Sequence, residues 1–188
     1  MKNIEEFFKK TGKSDIYLGN NATEDNVKSK SSDYKYLLFA THGFVDEANP
    51  MYSALVFSLK GNTQDDGFLR AMEILNLNIK AELVVLSACE TGLGRIRTGE
   101  GVIGLTRSFM YAGSPSVVVS LWSVESASTA TLMEVFYKNL LSGMNKGEAL
   151  RKAKISLMKG TEMMEGKKVS YSHPFFWAPF ILVGKSNQ

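Results

Sequence analysis

The chain has 188 residues, of which 44% are hydrophobic and 22% charged, a composition that predicts one globular domain able to bury a core without disulfide bonds. Its 22 basic and 19 acidic side chains leave a net charge of +3, too small and too dispersed for a nucleic-acid or anionic-membrane surface. The apolar runs are too short to span a bilayer, and residues 1–10 lack the uninterrupted apolar centre of a signal peptide. We therefore expect a cytoplasmic protein.

The first 35 residues predict a lead-in made of an amphipathic helix, a short apolar run at 16–18 and a polar stretch over 20–33. From residue 36 onward, short apolar runs alternate with longer helical patterns. This alternation is typical of a mostly parallel sheet covered by helices. The strands are expected at Tyr36 to Thr41, Ala54 to Ser58, Leu83 to Ala88, Ser116 to Leu121 and Pro179 to Val183.

Apolar residues recur at three- and four-residue spacing in four segments between these strands, and each segment predicts a helix. The segments are marked by Phe68, Met72 and Leu75; by Val102, Leu105 and Phe109; by Leu132, Val135, Phe136 and Leu140; and by Leu150, Ala153 and Leu157. Gly113, Gly143 and Gly160 follow the last three patterns, where left-handed helix caps are expected. The predicted fold is an α/β sandwich of three layers.

Two of the predicted strands end in residues that can carry chemistry. One leads into His42 and Gly43, and another into Cys89, the single cysteine of the sequence. Because ligands bind beyond the carboxyl ends of parallel strands, both side chains are delivered to the same edge. An imidazole near a thiol can take its proton and later protonate a leaving amine, so Cys89 is a candidate nucleophile and His42 a candidate general base. The N–H groups of Gly43 and Cys89 are candidates for holding an oxyanion.

The order and spacing of these residues are similar to a known arrangement. Cys89 follows His42 by 47 positions and ends an apolar strand, which resembles the caspase-type pattern. More specifically, residues 40–43, 83–92 and 99–101 resemble the CHAT family of caspase-like cysteine peptidases. The likeness continues through residues 120–124 and through His173-Pro174, and it covers about residues 16–184.

The resemblance implies a caspase-like domain over 36–188 that hydrolyses peptide bonds through the His42 and Cys89 dyad and a thioester intermediate. It implies no metal and no organic cofactor. The segment after the fourth strand is expected to line the substrate cleft with Ser120, Trp122 and Val124. Relatives that cut after Lys or Arg carry an aspartate where this chain has Ser87, so we expect a neutral or small apolar residue before the scissile bond.

Family members usually carry a further N-terminal portion of the domain and often helical repeats before it. The resemblance therefore implies either a compact version or the C-terminal part of a larger CHAT protein, with a repeat or sensor module as regulator. The expected partner is a protein or peptide substrate, with no nucleic acid and no membrane bound directly.

Two other functions fit parts of the sequence. A catalytically silent interaction module would keep the caspase-like fold and bind an extended segment of a partner without cutting it. A nucleotide-binding domain is suggested by Gly94 and Gly99, which have the separation of a phosphate-binding loop. That motif requires Lys and then Ser or Thr next, whereas Glu100 and Gly101 stand here, and a carboxylate would repel phosphate.

Overall fold

The computed structural model describes residues 2–9, 12–60, 65–87, 89–90, 100–123, 126–164 and 167–187, with side chains described for all of these except 2–3, 89–90, 100–101, 162–164 and 167–168. The chain divides into two compact units, Tyr17–Ser123 and the combination of Met1–Ile16 with Val124–Gln188. Its mostly parallel sheet flanked by helices confirms the predicted α/β class. No helix in the described part of the chain is long and apolar enough to cross a membrane.

The Tyr17–Ser123 unit contains seven strands and three helices among its described residues. They are α2 (Glu24–Lys30), β1 (Tyr36–Phe39), β2 (His42–Phe44), β3 (Ala54–Val56), β4 (Phe68–Arg70), α3 (Ala71–Ile74), β5 (Leu83–Leu86), β6 (Cys89–Glu90), α4 (Glu100–Tyr111) and β7 (Ser116–Ser120). Within this unit β1, β5 and β7 lie side by side and run parallel. Every residue of β5 and β7 is buried, as expected for nearly all-apolar strands covered on both faces.

A second, smaller sheet in the same unit has the strand order β4, β3, β2, β6. Strand β3 is antiparallel to both β2 and β4, whereas β6 is parallel to β2. Successive residues of a strand point to opposite faces, so the pairing Gly43 with Leu55 with Leu69 defines one face of this sheet. That face is closed, because Leu55 and Leu69 are fully buried and Gly43 is buried too.

The small sheet corrects two expectations. The strand predicted over Tyr36 to Thr41 ends at Phe39, and His42 begins a strand of the other sheet. The helix predicted from Phe68 was wrong at its start, because Phe68–Arg70 is strand β4 and only Ala71–Ile74 is helical. The helical spacing of Phe68 with Met72 and Leu75 is overridden at Phe68 by its pairing with Val56 in the neighbouring strand.

The unit made of Met1–Ile16 and Val124–Gln188 contains three helices and three strands among its described residues. They are α1 (Lys2–Lys9), α5 (Ser126–Leu141), α6 (Lys146–Met158), β8 (Thr161–Met164), β9 (Lys167–Ser170) and β10 (Phe180–Gly184). Helices α5 and α6 pack along each other, and α1 meets α5 through an edge-to-face contact of Phe8 with Tyr137, whose ring centroids are 5.4 Å apart. Asn145 caps α6 by accepting a hydrogen bond of 2.8 Å from the N–H of Glu148.

Two of the three expected glycine caps are confirmed. Gly113 after α4 has φ +124° and Gly143 after α5 has φ +91°, both in the region that favours glycine. Gly160 lacks a positive φ, so the expectation of a left-handed cap there was wrong. Its N–H instead donates to the carbonyl of Leu157 at 2.8 Å and ends α6 without that conformation.

The caps allow a matched prediction about stability. A methyl group at position 113 would lie 2.3 Å from the carbonyl oxygen of Ile79, whereas at position 143 it would meet nothing within 4 Å. We expect Gly113→Ala to destabilise the protein by about 3 kcal/mol and Gly143→Ala by about 1 kcal/mol, because the second carries backbone strain without a clash. Urea unfolding of both variants measures the difference, and equal losses would contradict this account of Gly113.

Candidate active site

Two short connections carry His42 and Cys89 from the parallel sheet to the small sheet. After β1, the hydroxyl of Thr41 donates to the carbonyl of Val56 and ties the chain to β3 just before His42. After β5, the N–H of Ser87 donates to the carbonyl of Phe39 at 2.8 Å and extends the β1–β5 pairing by one step. Ala88 lies outside the described residues.

The register of the small sheet brings His42 and Cys89 together as neighbours. In the parallel pair of β2 with β6, His42 is the direct partner of Cys89, and Gly43 is the partner of Glu90. Adjacent strands are about 4.8 Å apart, and direct partners occupy the same face of a sheet. His42 is exposed on the face opposite to Gly43, whereas the side chain of Cys89 is outside the described part of the chain.

The closed face of the small sheet leaves little room for a ligand. A cavity of about 20 Å³ lies against this face and is lined by Gly43, by Ser120, and by Leu86 and further apolar residues. A cavity needs roughly 10–15 Å³ for one water molecule, so this one is too small for a substrate side chain. Any ligand of His42 therefore approaches from the open face.

The predicted cleft residues lie at the ends of two parallel strands. Ser87 follows β5 and is half-buried, while Ser120 ends β7 and is 9% exposed. The hydroxyl of Ser120 donates to the carbonyl of Trp122 at 2.7 Å and thereby fixes the turn after β7. Trp122 is 38% exposed on this turn. Val124 and the glycine-containing residues 91–99 are outside the described part of the chain.

One group of acidic side chains in the described part of the chain is close enough together to hold a cation. It consists of Glu24, Asp65 and Glu73. The ammonium of Lys28 lies 2.7, 2.8 and 2.9 Å from oxygens of these three carboxylates in that order and supplies their counter-charge. We therefore treat the group as a structural ion cluster.

Exposed aromatic residues near His42 were missed by the sequence analysis. Phe44 lies two residues after His42 in β2 and is 48% exposed, and Phe68 in β4 is 37% exposed. The alternation of His42-Gly43-Phe44 as a strand would have placed positions 42 and 44 on one face. The signal was hidden because the sequence was interpreted as one strand ending before His42.

The mostly parallel sheet flanked by helices, with a histidine and a cysteine paired beyond its strand ends, defines a caspase-like α/β domain. The family model of the CHAT domain matches residues 1–185, and the chain belongs to this family, as its motifs predicted.

Curated relatives of the chain include tetratricopeptide repeat protein 28 of Mus musculus, which is 37% identical over 116 residues. The protein of the same name from Homo sapiens is 36% identical over 116 residues. Each alignment covers 62% of this chain but 4% of the relative. The chain therefore spans a very small part of the length of these relatives.

Proposed function

We propose that the protein is a caspase-like cysteine endopeptidase with Cys89 as nucleophile and His42 as general base. The observation that carries the proposal is the direct pairing of His42 with Cys89 across β2 and β6. An exposed histidine whose direct strand partner is a cysteine supports nucleophilic catalysis by a thiol, which needs a base near the sulfur.

Each step of the proposed reaction uses one of these two groups. His42 takes the proton of the Cys89 thiol, and the sulfur attacks the peptide carbonyl to form a tetrahedral intermediate. The carbon–nitrogen bond then breaks, His42 protonates the leaving amine, and a thioester remains on Cys89. Water, deprotonated by His42, attacks the thioester carbonyl. The carbon–sulfur bond then breaks, the acid leaves, and His42 returns the proton to the sulfur of Cys89. Stabilisation of the oxyanion by the N–H groups of Gly43 and Cys89 stays a prediction.

The turn after β7 supports a peptide as the ligand. Its conformation is fixed by the hydrogen bond from Ser120 to the carbonyl of Trp122, while the side chains of Leu121 and Trp122 are 37% and 38% exposed. A hydrogen-bonded turn with exposed apolar side chains suits an extended peptide that lies along it, with side-chain pockets supplying selectivity. We propose Ser87, Ser120, Trp122 and Val124 as contributors to this cleft.

The experiment that tests the proposal is cleavage of a proteome-derived peptide library followed by mass spectrometry of the new termini. We expect cleavage at a neutral or small apolar residue, and no cleavage by the Cys89→Ala variant at the same concentration. Cleavage that persists in Cys89→Ala would come from a contaminant and would overturn the proposal. An intact library combined with tight peptide binding would favour the silent interaction module.

The relatives suggest a setting for this domain. Because they are tetratricopeptide repeat proteins, we propose that a repeat module in cis or in trans regulates the peptidase, with a protein substrate as the other partner. We further propose that residues 36–188 form the catalytic part, with 1–35 as a lead-in, and that the protein acts in the cytoplasm.

A further inference from the structure

The open face of the small sheet carries one continuous row of residues that includes the dyad. Phe68 is the direct partner of Val56, Val56 of His42, and His42 of Cys89. The row runs straight across the four strands β4, β3, β2 and β6. Because direct partners share a face, all four positions lie on the same side of the sheet.

Apolar residues dominate this face on the side of His42 away from Cys89. Phe44, two positions along β2, is 48% exposed, Phe68 is 37% exposed, and Val56 is half-buried between the two strands that carry them. We call Phe44, Val56 and Phe68 the aromatic face. Large apolar side chains that are exposed beside a proposed catalytic dyad indicate a ligand-binding surface rather than a part of the core.

The charged residue at the margin does not change this apolar character. Arg70 lies 5.8 Å from the ring centre of Phe68, but its guanidinium is paired with Asp66 at 2.7 Å. Its charge is therefore already balanced within the protein. A ligand that approaches this side of the sheet therefore contacts the aromatic face and, at its margin, the ion pair of Arg70 with Asp66.

The proposed chemistry decides which part of a substrate would cover this face. His42 protonates the leaving amine, so the polypeptide that begins with this amine must lie on the His42 side of Cys89. We propose that the aromatic face is the binding surface for the residues that follow the scissile bond, and that it selects apolar side chains at the first and third of these residues.

The spacing of the sheet supports this assignment of positions. Val56 is one strand, about 4.8 Å, beyond His42, and Phe68 is two strands, about 10 Å, beyond it. In an extended peptide, alternate side chains point the same way and are separated by about 6.6 Å. The first residue after the bond therefore reaches Phe44 and Val56, the third reaches Phe68, and the second points away.

The inference rests on the proposed peptidase activity, and the sequences of the new N-termini produced in the library experiment would give its first test. We expect Phe, Leu, Ile or Met at the first and third positions after the cut to be enriched about fivefold, with no such enrichment at the second. Phe68→Ser should remove the preference at the third position only, and Tyr111→Ser, which changes an aromatic residue 80% exposed on α4, should leave both. Cleavage without this alternating preference would overturn the inference while leaving the peptidase proposal intact.

A binding measurement decides the inference even if the dyad proves silent. In the Cys89→Ala chain, the peptide Phe-Gly-Phe-amide should shift the side-chain NMR signals of His42, Phe44 and Phe68 at concentrations about tenfold lower than Ser-Gly-Ser-amide does. Phe68→Ser should remove this advantage, and Tyr111→Ser should preserve it. Equal shifts with the two peptides, or shifts confined to other residues, would show that the aromatic face does not take the leaving half of a substrate.

Discussion

If the proposed dyad operates, replacement of His42 by alanine is expected to lower the reactivity of Cys89, the single cysteine of the sequence. An unpaired cysteine thiol has a pKa of about 8.5, and its alkylation slows about tenfold for each pH unit below that value. A thiolate held by a neighbouring imidazolium keeps its reactivity at lower pH. We expect alkylation of the wild-type protein by iodoacetamide to change less than about threefold between pH 8 and 6.5, and that of His42→Ala to fall about twentyfold.

The same variant should lose about a thousandfold in kcat/KM on a peptide taken from the library, within the range for removal of a general acid–base group. Because the sequence contains one cysteine, alkylation reports on Cys89 without further mutation. His173→Ala is the matched control, since that side chain accepts a hydrogen bond from the N–H of Phe175 at 3.2 Å in another unit of the chain. Identical pH profiles for wild type and His42→Ala would contradict the dyad.

Replacement of Lys28 by methionine is expected to destabilise the protein, because Lys28 is within 2.9 Å of three carboxylates. Glu24 is 1% exposed and depends on Lys28 for its counter-charge. Burial opposes the charge of Lys28, but hydrogen bonds with Asp65, Glu24 and Glu73 outweigh it and raise the pKa of this amine above its usual range. Without it, three close carboxylates repel one another. We expect a loss of about 3 kcal/mol, or about 6–12 °C in Tm.

The pH dependence of this loss follows from Glu24. Burial, only partly offset by Lys28, raises the pKa of Glu24 above its ordinary value. A carboxyl whose pKa is raised by folding favours the folded state at low pH and loses that contribution as the pH rises through its folded pKa. The difference between wild type and Lys28→Met should therefore shrink as the pH falls from 7 towards 4.5.

A matched control separates this effect from the general loss of a positive charge. Lys35→Met removes a lysine whose ion pair with Glu82, at 3.3 Å, is exposed on both sides. Such pairs contribute about 0–1 kcal/mol, so this variant should unfold within about 4 °C of wild type. Equal destabilisation by the two substitutions would show that the cluster has no special role.

The sequence predicted the elements whose pattern is local. Strands β5 and β7 were predicted because each is a nearly unbroken apolar run, and α4, α5 and α6 because their apolar residues repeat at helical spacing over about two turns. The expected strand ends differ from the observed ones by one or two residues, because the final residues of a run can continue the strand or turn without any change in hydrophobicity.

Of the small sheet, β3 was predicted as part of the strand over Ala54 to Ser58, whereas β2, β4 and β6 were not predicted. The strands of this sheet have two or three residues each, which is too short for a period to be recognised. Phe68 fits a helical spacing with Met72 as well as a strand, and only its distant partner Val56 decides between them. The residues of the candidate dyad could still be proposed from the sequence, because parallel strands bring their carboxyl ends to the same edge of a sheet. The open face beside His42 could not be predicted, because it depends on the register of the strand pairing.

Helix α1 and the α5 helix it contacts belong to the same compact unit, although more than a hundred residues separate them in the chain. At about 5–20 residues per second, the ribosome makes Phe8 several seconds before Tyr137 exists. During that interval the apolar side of the first helix has no native partner from its own unit, and the long loop that must close adds an entropic cost to its docking. During synthesis there is therefore an interval of several seconds in which the apolar side of α1 is accessible to a chaperone.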